Sequence, residues 1–145
     1  MNNLFKRGWA LNLIAVLVSA MTSCAPIDNE LGEGEPLLEG IWHCEKFDYL
    51  SDDGSVLMSD KVSVTMTFYG YLQDYNGRYA KEEYEGHAPA EYLYGVRNSI
   101  LTLKDHDEWI TTYRIDVLSD EALVLTQLND GVPSTRKYFK RIEKF

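Results

Sequence analysis

Basic residues are in short supply in this 145-residue chain: 14 Lys and Arg stand against 23 Asp and Glu, a formal charge of −9. That balance excludes nucleic acid as a partner, because phosphate recognition needs a basic footprint. Cysteine is scarcer still, with Cys24 and Cys44 the only two. No disulfide scaffold can be built from them, so the fold must rest on packing. Long apolar runs are missing as well. The longest, Trp9 to Met21, has about 13 residues, whereas a membrane-spanning helix needs about 20. No segment shows a long 3.6-residue apolar period, so helices are not expected to build the domain. The three histidines, His43, His87 and His106, are far apart, without the close second ligand of a His-based zinc site.

What is present begins with the amino terminus. Lys6 and Arg7 precede the short apolar run, and Met21-Thr22-Ser23-Cys24 follows it. This arrangement resembles the signal and lipobox of bacterial lipoproteins. The resemblance implies that residues 1–23 are removed and that Cys24 carries a diacylglyceryl group and an amide-linked acyl chain such as palmitate. With Ala25 after the cysteine, it also implies anchoring in the outer membrane. Residues 24–36 are rich in Gly, Pro and acids and read as a solvated, flexible tether. The folded domain is then 37–145. Loss of the signal leaves 12 basic against 23 acidic residues, a charge of −11, and removes any electrostatic attraction to anionic headgroups, so membrane contact falls to the lipid anchor.

Strand patterns dominate the rest. From Lys61 to Tyr69, Val62, Val64, Met66 and Phe68 share one face and Ser63, Thr65, Thr67 and Tyr69 the other. From Trp109 to Val117, the residues Trp109, Tyr113, Ile115 and Val117 are expected on one side. Ser99–Lys104, Ala122–Leu128 and Thr135–Ile142 read as further strands. Turn chemistry separates them: Asp52-Asp53-Gly54, Asn76-Gly77 (read as a type I′ hairpin), Asp105–Glu108, Ser119–Glu121 and Asn129-Asp130-Gly131. Sequential strands with tight turns make an antiparallel meander. Closing about eight of them into an up-and-down barrel removes the edges, so the expected class is an all-β barrel.

Leu38-Glu39-Gly40-Ile41-Trp42 resembles the L-x-G-x-W opening of lipocalins and of the lipocalin-like domains of Gram-negative lipoproteins. The resemblance implies that Gly40 lets the chain turn into the first strand and that Trp42 closes one end of the barrel. It further implies that a basic residue of the last strand, Arg141 before Lys140, packs over the indole.

Candidate chemistry is thin. His43 and Cys44 are adjacent, but strand alternation sends them to opposite faces, which removes a thiolate–imidazole pair. Asp105-His106-Asp107-Glu108 lacks the glycine and spacing of a calcium loop and reads as a solvated hairpin. Glu82, Glu83 and Glu85 read as an acidic outward face. Seven of the ten tyrosines lie between Tyr69 and Tyr94, as favourable strand residues or as contact surface. The expectation is therefore a protein that is not an enzyme and that needs no cofactor and no metal. Its barrel is expected to hold a small hydrophobic or amphipathic ligand against Val64, Met66, Phe68, Trp109 and Tyr113. The alternative is a solid barrel that docks an envelope protein or a glycan through its Tyr-rich side.

Overall fold

The structure, a computed structural model, describes residues 31–145. The signal segment 1–23 and Cys24 lie outside the described residues. Eight strands follow one another: β1 (Gly40–Leu50), β2 (Val56–Leu72), β3 (Gly77–Tyr84), β4 (Ala90–Arg97), β5 (Ile100–Lys104), β6 (Ile110–Leu118), β7 (Ala122–Asn129) and β8 (Val132–Lys144). Each pairs antiparallel with its neighbour in sequence, and β8 pairs back onto β1, so the described sheet is a closed up-and-down barrel. Every strand has two partners, and no edge is left to template aggregation.

Cross-strand partners share a face, and the registers Trp42↔Met66, Gly40↔Phe68 and Phe68↔Ala80 put the apolar alternation of β1, β2 and β3 inside. Trp42, Val64, Phe68, Tyr94, Leu101 and Leu123 are fully buried there. Two-residue turns with positive φ connect β4 to β5 (Asn98, Ser99) and β7 to β8 (Asp130, Gly131), the backbone that matches strand twist. Asn76-Gly77 differs from the sequence expectation. Gln73–Tyr75 form a short 3-10 turn, Asn76 caps it in the left-handed region, and Gly77 already begins β3. A tight hairpin would have had to cut β2 short, and β2 instead pairs through Leu72↔Gly77.

One end of the barrel is closed. Residues 36–38 form a 3-10 turn whose Leu38 is wholly buried, and the Trp42 indole N–H donates to the Leu38 carbonyl at 2.8 Å. The segment before it is not a loose tether. From Leu31 onward it is laid on β4: Glu33 and Val96 exchange two backbone hydrogen bonds of 2.8 and 2.9 Å, Leu31 is buried, and Arg78 donates to the Gly32 carbonyl. Gly95 makes the approach possible, since a Cβ there would sit 2.6 Å from the Leu31 carbonyl. Composition suggested tether as far as Pro36; the Glu33–Val96 backbone pair and the burial of Leu31 show that the segment is instead held from Leu31 on. Gly40 has a similar role, with φ near +142 and the Glu143 carbonyl 2.2 Å from where a Cβ would be. Gly40→Ala is therefore expected to lower the unfolding free energy by more than about 1 kcal/mol, read from the urea midpoint.

The outer wall of β1, β2, β6, β7 and β8 carries a polar lattice. Asp48 accepts from Ser59 Oγ at 2.6 Å and Tyr138 OH at 2.7 Å. Asp116 accepts from Arg114 Nε at 2.6 Å and from the Thr126 hydroxyl, with Arg136 Nε 3.5 Å away. Burial pushes both carboxyls up, but these hydrogen bonds and cations outweigh it and hold each below its ordinary value. A depressed folded pKa means stability that is present above about pH 4, the unfolded value, and lost as pH falls through the lower folded value. Denaturation across the acid range should show wild type losing stability below about pH 4 more steeply than Asp48→Asn/Asp116→Asn.

Candidate functional site

The five residues expected to wall a ligand do not form one wall. Val64 and Phe68 are fully buried, Met66 is 1% exposed, and Tyr113 is 6% exposed. All four face inward but pack into the continuous core, with Cys44, Leu103, Leu125 and Phe139. Trp109 is elsewhere. It precedes β6 in the β5–β6 turn, where its backbone N–H donates to Asp105 Oδ1 at 2.9 Å, and it is 73% exposed. Val117 also leaves the expected face: the β6–β7 register shifts between Ile115 and Val117. Asp116 is the extra residue of this bulge. Beyond it Leu118 packs on the core and Val117 is exposed.

At the closed end Arg141 lies over Trp42, its guanidinium carbon 4.1 Å from the ring centroid. The same guanidinium donates to three carbonyls: Glu39 at 2.8 Å, Asp120 at 2.6 Å, and Leu37. Gly40, Trp42 and Arg141 are thus brought together, and Lys140 is on the neighbouring outer position.

The inside of the other half is polar, which the sequence reading missed. Glu82 is 5% exposed and pairs with Met66 on β2 and Ala90 on β4, so its carboxylate points inward. The outward acidic face expected of these glutamates holds for Glu83 and Glu85, which are exposed, and fails for Glu82, which alternation in a closed barrel turns in. Opposite it, Lys137 pairs with Leu125 and Phe47, and its Nζ stands 3.4 Å from Glu82 Oε2. The two side chains are 15% and 7% exposed. Three tyrosines surround them. Tyr92 OH reaches Glu82 Oε1 at 3.4 Å, and Lys137 Nζ is 5.8 Å from the Tyr113 ring centroid. Burial first, then the field of Glu82, raises the Tyr113 and Tyr92 phenols, and the Tyr84 phenol is pushed up to about 12, mainly by burial, with Lys137 pulling the other way. All three stay neutral at physiological pH. The signal was available: Ala80, Glu82 and Tyr84 share one period-2 face, as do Lys137 and Phe139.

This polar layer lies toward the end bounded by the β1–β2, β3–β4, β5–β6 and β7–β8 turns. Among the acids of these turns the rim carries exposed apolar side chains: Leu57 at 68%, Met58, Trp109, Ile110 and Val132. Recesses lie at the closed end, beside the β4–β5 turn, and on the outer wall. One of about 490 Å³ is lined by Glu33, Val96 and Leu118, and one of about 520 Å³ by His43, Val124 and Tyr138. Neither includes Val64, Met66, Phe68 or Tyr113 in its lining.

No protein-family model matches this chain, and no curated protein matches it.

Cys44 and His43 are on opposite faces, as alternation requires. The Cys44 thiol donates to the Lys46 carbonyl at 3.1 Å, burial raises its pKa, and His43 instead meets Thr65 Oγ1 at 3.2 Å. A buried thiol whose pKa is raised is a poor nucleophile. Among the described residues, no group of three His, Cys, Asp or Glu is gathered as a metal site. His106 and Glu91 are 3.1 Å apart, with Tyr79 OH 2.6 Å from the other Glu91 oxygen, on the exposed outer wall.

Proposed function

We propose that the protein is a noncatalytic, lipocalin-like binding protein, tethered to the outer membrane through acylated Cys24. Its ligand is a small hydrophobic or amphipathic molecule taken at the hairpin end of the barrel. The observation that carries this reading is the Glu82–Lys137 pair, held among Tyr84, Tyr92 and Tyr113 inside the barrel and toward the rim that exposes Leu57, Met58 and Trp109. A barrel interior needs no charges for stability, and an ionic pair with phenols around it supplies the few convergent polar groups of a ligand site. The site therefore sits above the packed layer of Val64, Met66 and Phe68 rather than against it.

Mass spectrometry of a solvent extract of the purified protein, followed by titration of long-chain alcohols, fatty acids and sterols against tryptophan fluorescence, tests this directly. Trp109 on the rim should respond and the buried Trp42 should not. An empty extract together with no response to any of these compounds would sink the reading. Anchoring is tested separately: labelled palmitate should enter the wild-type protein and not Cys24→Ser, which should leave the membrane fraction.

The packed lower half supports a second reading, in which the rim docks an envelope protein or a glycan and nothing enters the barrel. Leu57, Met58 and Trp109 are the residues that such a partner would cover. Crosslinking from whole cells that recovers one reproducible neighbour, lost in Trp109→Ala/Leu57→Ser, would favour it.

A further inference from the structure

On the reading that the hairpin end takes an amphipathic ligand, we infer that the group it takes inward is uncharged: a hydroxyl or similar neutral head, in preference to a carboxylate or an ammonium. The argument rests on charge balance and unused hydrogen-bonding capacity. Glu82 and Lys137 cancel each other at a place where both are largely out of water. Adding an anion beside them leaves a net charge in a poorly solvated interior, and so does adding a cation.

Both partners also have hydrogen-bonding capacity left. The Lys137–Glu82 and Tyr92–Glu82 contacts are each 3.4 Å, long beside ordinary charge-assisted bonds of about 2.7–2.9 Å. An ammonium has three donors and a carboxylate about four acceptor sites, so neither group is saturated. A hydroxyl uses both at once, donating to Glu82 and accepting from Lys137. A carboxylate could only accept and would face Glu82, while an ammonium could only donate and would face Lys137. The remaining charge felt near Tyr92 is Asp105. One of its carboxylate oxygens is held in the β5–β6 turn, where it accepts from the Asp107 and Trp109 backbone N–H groups, each at 2.9 Å. The three phenols add hydrogen bonding without adding charge. The outer part of the ligand lies against Phe47 and Tyr49, whose rings meet edge to face 4.8 Å apart, and against Trp109.

The experiment compares decanol, decanoate and decylammonium, matched in chain length, by calorimetric titration of the protein at neutral pH. Decanol should bind at least about tenfold more tightly than either ion. Equal or tighter binding of an ion to the unchanged protein would overturn the inference while leaving a binding barrel standing. Binding of none of the three would overturn both. Glu82→Gln leaves Lys137 unopposed and should move the preference to decanoate, and Lys137→Met should move it to decylammonium. The doubly neutral Glu82→Gln/Lys137→Met should keep the preference for decanol. A purely structural role for the pair would shift no selectivity, and the wild-type comparison decides the matter even where a single variant folds poorly.

Discussion

Replacing Trp42 by alanine should destabilise the barrel by about 3–5 kcal/mol, the range for a large aromatic removed from a packed core. Trp42 is fully buried, and three separate contacts end with its loss. Its N–H no longer ties down Leu38 at 2.8 Å, Leu38 loses the surface it plugs against, and the Arg141 guanidinium loses the ring 4.1 Å below it. A domain of this size has only about 5–15 kcal/mol in total, so the variant should be partly unfolded at physiological temperature. Arg141→Ala removes the ring contact and leaves the carbonyls of Leu37, Glu39 and Asp120 without their donor. Arg141→Lys should recover little of that loss, because a point-like ammonium cannot reach three carbonyls and lie flat on the indole together. Urea denaturation of the two single variants and the double variant gives the coupling directly. A Trp42–Arg141 term of about 0.5–2 kcal/mol is expected, and a term near zero would show that Arg141 acts through the carbonyls alone.

The inward face of β2 was legible in the sequence, and the reason is local. Val64, Met66 and Phe68 alternate without a fault, and a closed barrel preserves that alternation wherever the ladder is regular. Legibility failed where one backbone event changed the phase. The bulge at Asp116 turned Val117 out and Leu118 in, and nothing in Arg-Ile-Asp-Val-Leu announces an extra residue. Trp109 was read as the first inward residue of β6, but Asp105 Oδ1 binds its N–H and the strand begins at Ile110. Leu31–Glu35 looked like linker because Gly, Pro and acids are poor strand formers; its pairing with Val96 depends on Gly95, a partner more than sixty residues away. Glu82 and Lys137 were missed for a different reason. Sequence reading assigns charged residues to solvent, and that habit outweighed the period-2 faces that carry Glu82 with Ala80 and Lys137 with Phe139; that the two meet follows only from the closed ladders.

That pair gives the second large effect. Glu82→Leu alone should destabilise by about 3–5 kcal/mol, because Lys137 is left buried without a counter-charge. Lys137→Met alone should do the same to Glu82. The double variant, Glu82→Leu/Lys137→Met, is the informative one. Replacing a buried ion pair by apolar residues of similar volume is often neutral or stabilising by about 1–4 kcal/mol. The surrounding rings of Tyr84, Tyr92 and Tyr113 offer apolar cover for a leucine and a methionine introduced together. The expected order of urea midpoints is therefore double variant at or above wild type, with both single variants well below. A double variant as unstable as the singles would mean that Glu82 and Lys137 are structural, through contacts with the tyrosines rather than with each other. The expected order would mean that the fold does not need these charges. Two ionised groups kept inside a barrel that is no less stable without them are then retained for what they bind.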